Sequence, residues 1–135
     1  RAILSTGWSG LGTDQPLPKN VFLIKNTPHR WLFPQMAAVV HHGGAGTTGA
    51  ALSAGVPNIV IPHFGDQYYW GRRVAELGVG PDPIERKKLS AERLAAALST
   101  TLHDSGMREQ AASLGAKISA EDGVSRAVQV IRKYI

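Results

Sequence analysis

The first half of the chain is punctuated by short apolar runs at 2–4, 21–24, 38–41 and 58–61. They are rich in β-branched residues and continuously apolar rather than alternating. That pattern suits strands of a parallel sheet covered on both faces. Between the third and fourth runs, residues 46–54 read as a helix. It stops at Gly55-Val56-Pro57, where a new strand begins. The three elements form a β-α-β unit, expected to cross over right-handed. The second half has helical spacing instead. Trp70, Val74 and Leu77 form one stripe, and Leu94, Leu98 and Leu102 a second, behind Ser90 as N-cap. Met107, Ala111, Leu114 and Ile118 form a third, and Val124, Ala127, Val128 and Ile131 a fourth. Pro81-Asp82-Pro83-Ile84 reads as a rigid connector, and the Gly/Pro-rich segment 7–18 as a long loop. No internal repeat is visible. The architecture this implies is α/β.

Length and composition narrow the class without naming a chemistry. The 135 residues suffice for one domain with a real core. The absence of cysteine excludes disulfides, a thiolate nucleophile and Cys-based zinc sites. It also fits a reducing compartment, so the expected location is the cytoplasm. No apolar run approaches the roughly 20 residues a membrane-spanning helix needs. The chain opens at Arg1, directly before a strand, and we expect it to be cut from a longer protein. The formal charge of +5 suits either scattered surface Lys and Arg or attraction to an anion such as a phosphate ligand or an acidic membrane surface. Arg86-Lys87-Lys88 is the tight basic cluster. No aromatic residues are interleaved with it, which argues against nucleic acid.

The chemistry concentrates in His41-His42-Gly43-Gly44-Ala45-Gly46-Thr47-Thr48-Gly49, which follows a strand and opens a helix. A helix N-terminus presents unpaired N–H groups and a partial positive charge, and glycines let a phosphate approach the backbone. Thr47 and Thr48 can add hydroxyl donors. The turn should therefore bind phosphate; the bland alternative is simple chain reversal. Gly44-x-Gly46-x-x-Gly49 also matches the dinucleotide fingerprint, with Asp66 20 residues after Gly46. In that pattern the acid must end the second strand. Asp66 lies beyond that point, and His42 would have no role.

A different reading uses more of these residues. The segments His29-x-Trp31-Leu32-Phe33-Pro34, His41 to Thr48, Gly65-Asp66-Gln67-Tyr68-Tyr69-Trp70-Gly71, Leu77-Gly78-Val79-Gly80-Pro81 and Glu121-Asp122-Gly123-Val124 span nearly the whole chain. In this order they resemble the donor-binding domain of family 1 glycosyltransferases of the GT-B fold, most closely the sterol 3-beta-glucosyltransferases. Gly7-Trp8-Ser9-Gly10-Leu11-Gly12 looks like a loop of the same family. The resemblance implies a Rossmann-like parallel sheet with flanking helices. Such a domain starts one strand and one helix before Arg1. We therefore expect the four strands in one sheet, with 38–41 away from an exposed edge and one edge truncated.

It also implies roles. His42 would hydrogen-bond the donor diphosphate, and Gly44, Ala45, Gly46 and Thr47 would wrap it. Asp66 and Gln67 would hold the sugar hydroxyls, and His29 and Trp31 would border the uracil. A carboxylate and an amide suit vicinal hydroxyls, and an aromatic ring can stack on a base. Two alternatives stay open: Trp31 as a core residue, and Asp66 as a helix N-cap. His41 should pack, because adjacent strand residues face opposite ways. The sequence departs from plant small-molecule members, which carry a ribose-holding Glu soon after the phosphate-binding hydroxyl. Thr48-Gly49-Ala50-Ala51 has no acid. The Trp-to-Pro spacing is also one residue longer than in that group.

No Asp-x-Asp motif is present, so we expect UDP-glucose to be used without metal or other cofactor. The spacing of His41, His42 and His63 fits no standard metal site. No residue stands out as the base for an acceptor hydroxyl. The resemblance puts that base, and the sterol-type lipid acceptor, in an N-terminal partner domain, with room for peripheral membrane contact.

Overall fold

The computed structural model describes residues 1–7 and 16–135. The expected loop around Trp8 to Gly12 lies outside them. The strands are β1 (Ala2–Ser5), β2 (Val21–Ile24), β3 (Val39–His41) and β4 (Asn58–Val60). The helices are α1 (His29–Leu32), α2 (Ala45–Ser53), α3 (Gln67–Glu76), α4 (Ala91–His103), α5 (Ser105–Ser119) and α6 (Gly123–Ile131). Short 3₁₀ turns cover Phe33–Gln35 and Arg86–Lys88.

Each apolar run forms a strand, and each helical stripe falls on a helix. Ser90 caps α4 as expected, its hydroxyl accepting from the Arg93 N–H at 3.3 Å. Asp104 and Asp122 cap α5 and α6 in the same way. The brief helix α1 had no sequence signal, because four residues cannot display a period.

All pairing is parallel, but the single four-stranded sheet does not form. β1 pairs with β2, and β3 with β4, as two separate two-stranded sheets. β3 is therefore bonded to one strand only, contrary to the expectation that it lies inside the sheet. No described strand bridges β1 or β2 to β3. The β1–β2 ribbon is also thinly covered: Ile3, Phe22 and Leu23 are 39%, 52% and 41% exposed.

The core instead surrounds the β3-α2-β4 unit. One cluster joins Phe33, Val39, Ala51 and Val56; the other joins Val60, Val74, Val79 and Ala111. β4 is buried along its whole length. On the side away from β3 it is flanked by residues 79–84, where the Asn58 N–H bonds Val79 O at 2.9 Å and the Ile84 N–H of the connector bonds Val60 O at 3.0 Å. Gly80 allows this approach, since a Cβ there would collide with the Asn58 carbonyl.

The crossing of α2 and α5 is equally close. A Cβ on Gly115 would sit 2.5 Å from the Gly55 Cα and 3.0 Å from the Leu52 carbonyl oxygen. Ser119 also donates to Ser53 O at 3.4 Å. These contacts fix the end of α5 alongside α2. Helix α6 closes the chain with Val124, Val130 and Ile131 at 77%, 55% and 57% exposure. No helix among the described residues is long and apolar enough to cross a membrane.

Candidate functional site

The turn between β3 and α2 is built by a division of labour between its two histidines. The His41 ring points inward. Its Nδ1 accepts from the Gly43 N–H at 3.0 Å, so its proton is on Nε2, which donates to Asn58 Oδ1 at 2.8 Å. Asn58 is fully buried, and its amide in turn donates to Val56 O at 2.9 Å. Burial is the main reason the His41 pKa falls below its ordinary 6.5; nearby His42 and His29 add to the effect, and the Asn58 bond opposes it. His41 is thus a neutral clamp between β3, β4 and the glycine turn. The sequence placed it in packing; Asn58, its partner 17 residues away, carried no sequence signal.

Gly43 has φ +89°, a region that favours glycine. A Cβ there would also lie 2.6 Å from Val60 Cγ1 and 3.0 Å from the Gln67 carbonyl oxygen. His42 faces the other way and is exposed. Its ring lies over Gly44, with Nε2 only 2.5 Å from where a Gly44 Cβ would be. The missing side chain at Gly44 leaves that space for the imidazole, directly above the start of α2.

Helix α2 begins with no side-chain cap. Its first N–H groups, on Ala45, Gly46 and Thr47, therefore remain available to a ligand. No described atom outside the turn lies within 4 Å of a Cβ built on Gly46, so the approach is open. The two threonines divide as well. Thr48 is buried and its hydroxyl donates to Gly44 O at 2.9 Å, which corrects the expectation that it could bind phosphate. Thr47 is only partly buried, and its hydroxyl has no such partner among the described residues. The ensemble can bind an anion by backbone donors, helix dipole, one hydroxyl and one imidazole.

The neighbouring loop after β4 carries Asp66 and Gln67. Gln67 is 6% exposed, and its Oε1 accepts from the N–H groups of His63 at 2.8 Å and Phe64 at 3.2 Å. Gln67 thus closes its own loop, and only its side-chain NH₂ remains for a ligand. Asp66 does not cap α3 with its side chain. Its Oδ2 instead accepts from Trp70 Nε1 at 3.1 Å, and Oδ1 has no hydrogen-bond partner among the described residues.

The other expected residues lie on α1. Trp31 is 64% exposed, which rules out the core-packing alternative. His29 stacks on Phe33, ring centroids 4.4 Å apart and planes 12° from parallel. Beside them a groove of about 660 Å³ runs along α2, but the residues of this segment that line it are Arg30 and Pro34. His29 and Trp31 are not brought into it. Arg30 and Glu121 also line the groove; sequence reading left Arg30 unremarked and Glu121 without a role beyond its place in the family segment. No cluster of three or more His, Cys, Asp or Glu side chains suited to a metal occurs among the described residues.

Residues 9–132 match the family described as erythromycin biosynthesis protein CIII-like, C-terminal domain. The chain belongs to that family. It is also 45% identical, over 100% of its length, to a sterol 3-beta-glucosyltransferase of Arabidopsis thaliana, of which it spans 22%. The glycotransferase of kitacinnamycin superposes with a TM-score of 0.86 at 28% identity, covering 97% of this chain and 34% of that one. Spinosyn rhamnosyltransferase SpnG, solved with thymidine diphosphate, superposes with a TM-score of 0.81 at 25% identity, covering 96% and 35%. The chain has the fold of a GT-B glycosyltransferase C-terminal domain. The dinucleotide reading is not favoured. Within the family fold, the glycine turn after β3 and the Asp66-Gln67 loop after β4 both follow the C-terminal ends of parallel strands, where ligands of open α/β sheets bind.

Proposed function

We propose that this chain is the donor-binding half of a UDP-glucose-dependent glucosyltransferase acting on a sterol-type lipid hydroxyl. The uncapped start of α2, roofed by the exposed His42, is the observation that carries this reading. Departure of a nucleoside diphosphate develops negative charge on its terminal phosphate. Preorganised N–H groups and an imidazole can meet that charge without reorganising. The reaction then needs no metal, and the divalent cation that other sites employ is replaced by the helix terminus, His42 and Thr47. Asp66 and the free amide of Gln67 reach the hexose hydroxyls, and Trp31 borders the base.

The acceptor pocket and the base belong to an N-terminal domain of the longer protein, facing this site across a cleft. The chain spans 22% and 10% of the length of two sterol 3-beta-glucosyltransferases that it matches. We further propose that a strand and a helix precede Ala2 in that protein and cover the β1–β2 ribbon. The enzyme works in the cytoplasm, with peripheral contact to the membrane that holds its acceptor. Assaying the full-length protein with UDP-glucose and a sterol, with and without EDTA, tests the proposal. Sterol glucoside should form at the same rate in both. Loss of turnover in EDTA, restored by a divalent cation, would contradict the metal-free mechanism.

A further inference from the structure

The two loops of the proposed donor site leave from different strands. The last ladder bond between β3 and β4 runs from the Ile61 N–H to His41 O at 2.9 Å. Beyond it the chains part, one into the glycine turn and the other into the loop that carries Asp66 and Gln67. A ligand that reaches from one loop to the other needs both in fixed register, to within about 0.5 Å. Each loop is tied within itself. Thr48 donates to Gly44 O, and Gln67 Oε1 accepts from the His63 and Phe64 N–H groups. Those bonds do not join one loop to the other.

The loops meet at Gly43, which is buried. A Cβ there would lie 3.0 Å from the Gln67 carbonyl oxygen and 3.5 Å from the Gln67 Cα, so the glycine backbone rests on the start of α3. Its place is set by its N–H, which His41 Nδ1 accepts at 3.0 Å. The same ring is anchored on its other side. Nε2 donates to Oδ1 of Asn58, the first residue of β4, at 2.8 Å, and the fully buried Asn58 amide donates to Val56 O at 2.9 Å. The chain of bonds thus runs from Val56 through Asn58 and His41 to Gly43, and ends against Gln67. A ring of any kind would satisfy the packing. The Gly43 bond needs an acceptor atom at one place.

We propose that His41 is a positioning residue of the donor site: its Nδ1 holds Gly43 against Gln67 and so sets the phosphate turn in register with the sugar loop. The proposal rests on the donor-site reading above. His41 itself touches no ligand, since its ring lies on the strand face opposite to His42. Its effect is therefore greatest on a ligand that spans both loops, and smaller on one that uses the turn alone.

Calorimetric titration of the full-length protein with UDP and with UDP-glucose tests this. His41→Phe keeps the bulk of the ring and His41→Ala removes it; neither offers an acceptor. His41→Asn does, because an Asn side-chain oxygen readily accepts from the N–H two residues on. All three lose the bond to Asn58, so a merely structural role would lower the melting temperature in each without separating Asn from the others in ligand affinity. Below their melting temperatures, His41→Phe and His41→Ala should bind UDP-glucose about 10-fold more weakly than wild type, the scale of one lost hydrogen bond, and lose much less for UDP. His41→Asn should bind UDP-glucose close to the wild-type value. Wild-type UDP-glucose affinity in the Phe or Ala variant would overturn the positioning role, as would equal losses for the two ligands or an Asn variant as weak as the others. Failure of the underlying reading has a different signature. A wild type that binds neither ligand would overturn the donor site itself, and equal losses of UDP and UDP-glucose affinity in Asp66→Asn would remove the sugar loop from it.

Discussion

His41 and His42 are neighbours in sequence, yet substitution should separate them cleanly. In the full-length enzyme, His42→Ala should lower kcat by about 100-fold, the scale for losing a preorganised donor to developing charge, while leaving melting temperature nearly unchanged. His41→Ala should instead lower the melting temperature, because Gly43 N–H and buried Asn58 lose their partner. Reversed effects would mean that the two faces are misassigned. A pH scan of stability adds a second check. Burial holds the folded pKa of His41 below its ordinary 6.5, so the unfolded chain binds the proton more readily. Its contribution is present in full above about pH 6.5 and is lost as pH falls through the folded value. The proton would enter at Nδ1 and displace the Gly43 hydrogen bond. Melting temperature should therefore decline as pH drops below 6.5, more steeply in wild type than in His41→Asn.

Strand alternation was enough to turn one histidine inward. The identity of its clamp was not, because Asn58 meets His41 only after the β-α-β unit closes. Gln67 is a similar case. Its expected part in sugar binding must coexist with two hydrogen bonds inside its own loop. Gln67→Ala should cost about 1–3 kcal/mol of stability in chemical denaturation, since it leaves those N–H groups unpaired. Asp66→Asn keeps an oxygen for Trp70 and should weaken UDP-glucose binding while sparing UDP. Equal losses for both ligands would exclude a sugar contact.

At the level of elements, periodicity located every strand and the longer helices, since burial of one face leaves a repeating trace. Partnerships between elements left none. The split into two ribbons depends on which edges meet. The crossing of α2 and α5 depends on Gly55 and Gly115, which in sequence read as a helix stop and a residue within a helix. Gly115→Ala tests that crossing. Its Cβ would meet backbone atoms of Gly55 and Leu52, which cannot move aside as a side-chain tip can. We expect a loss of about 1–3 kcal/mol, the range for overpacking a close contact, read from denaturant unfolding. An unchanged midpoint would mean that the two helices are free to separate.

At the scale of the whole molecule, a buried β3–β4 ribbon carries the candidate site and the β1–β2 ribbon is left thinly covered. Amides of Ala2–Ser5 and Val21–Ile24 should exchange rapidly in the isolated 135-residue chain and become protected in the full-length protein. Equal protection in both would show that the ribbon needs no cover from outside. The candidate site was legible because one turn gathers a strand end, small residues, a hydroxyl and an imidazole within nine positions. The groove was not, since Arg30, α2 and Glu121 converge on it from three separate stretches. In the proposed enzyme this turn grips the diphosphate of a sugar nucleotide. Titrating full-length wild type and His42→Ala with UDP-glucose and with NAD, in EDTA, tests it most directly. Wild type should bind UDP-glucose saturably and NAD not at all, and His42→Ala should bind UDP-glucose markedly more weakly; NAD binding in preference to UDP-glucose, or equal UDP-glucose affinity in the two proteins, would rule out a diphosphate grip at this turn.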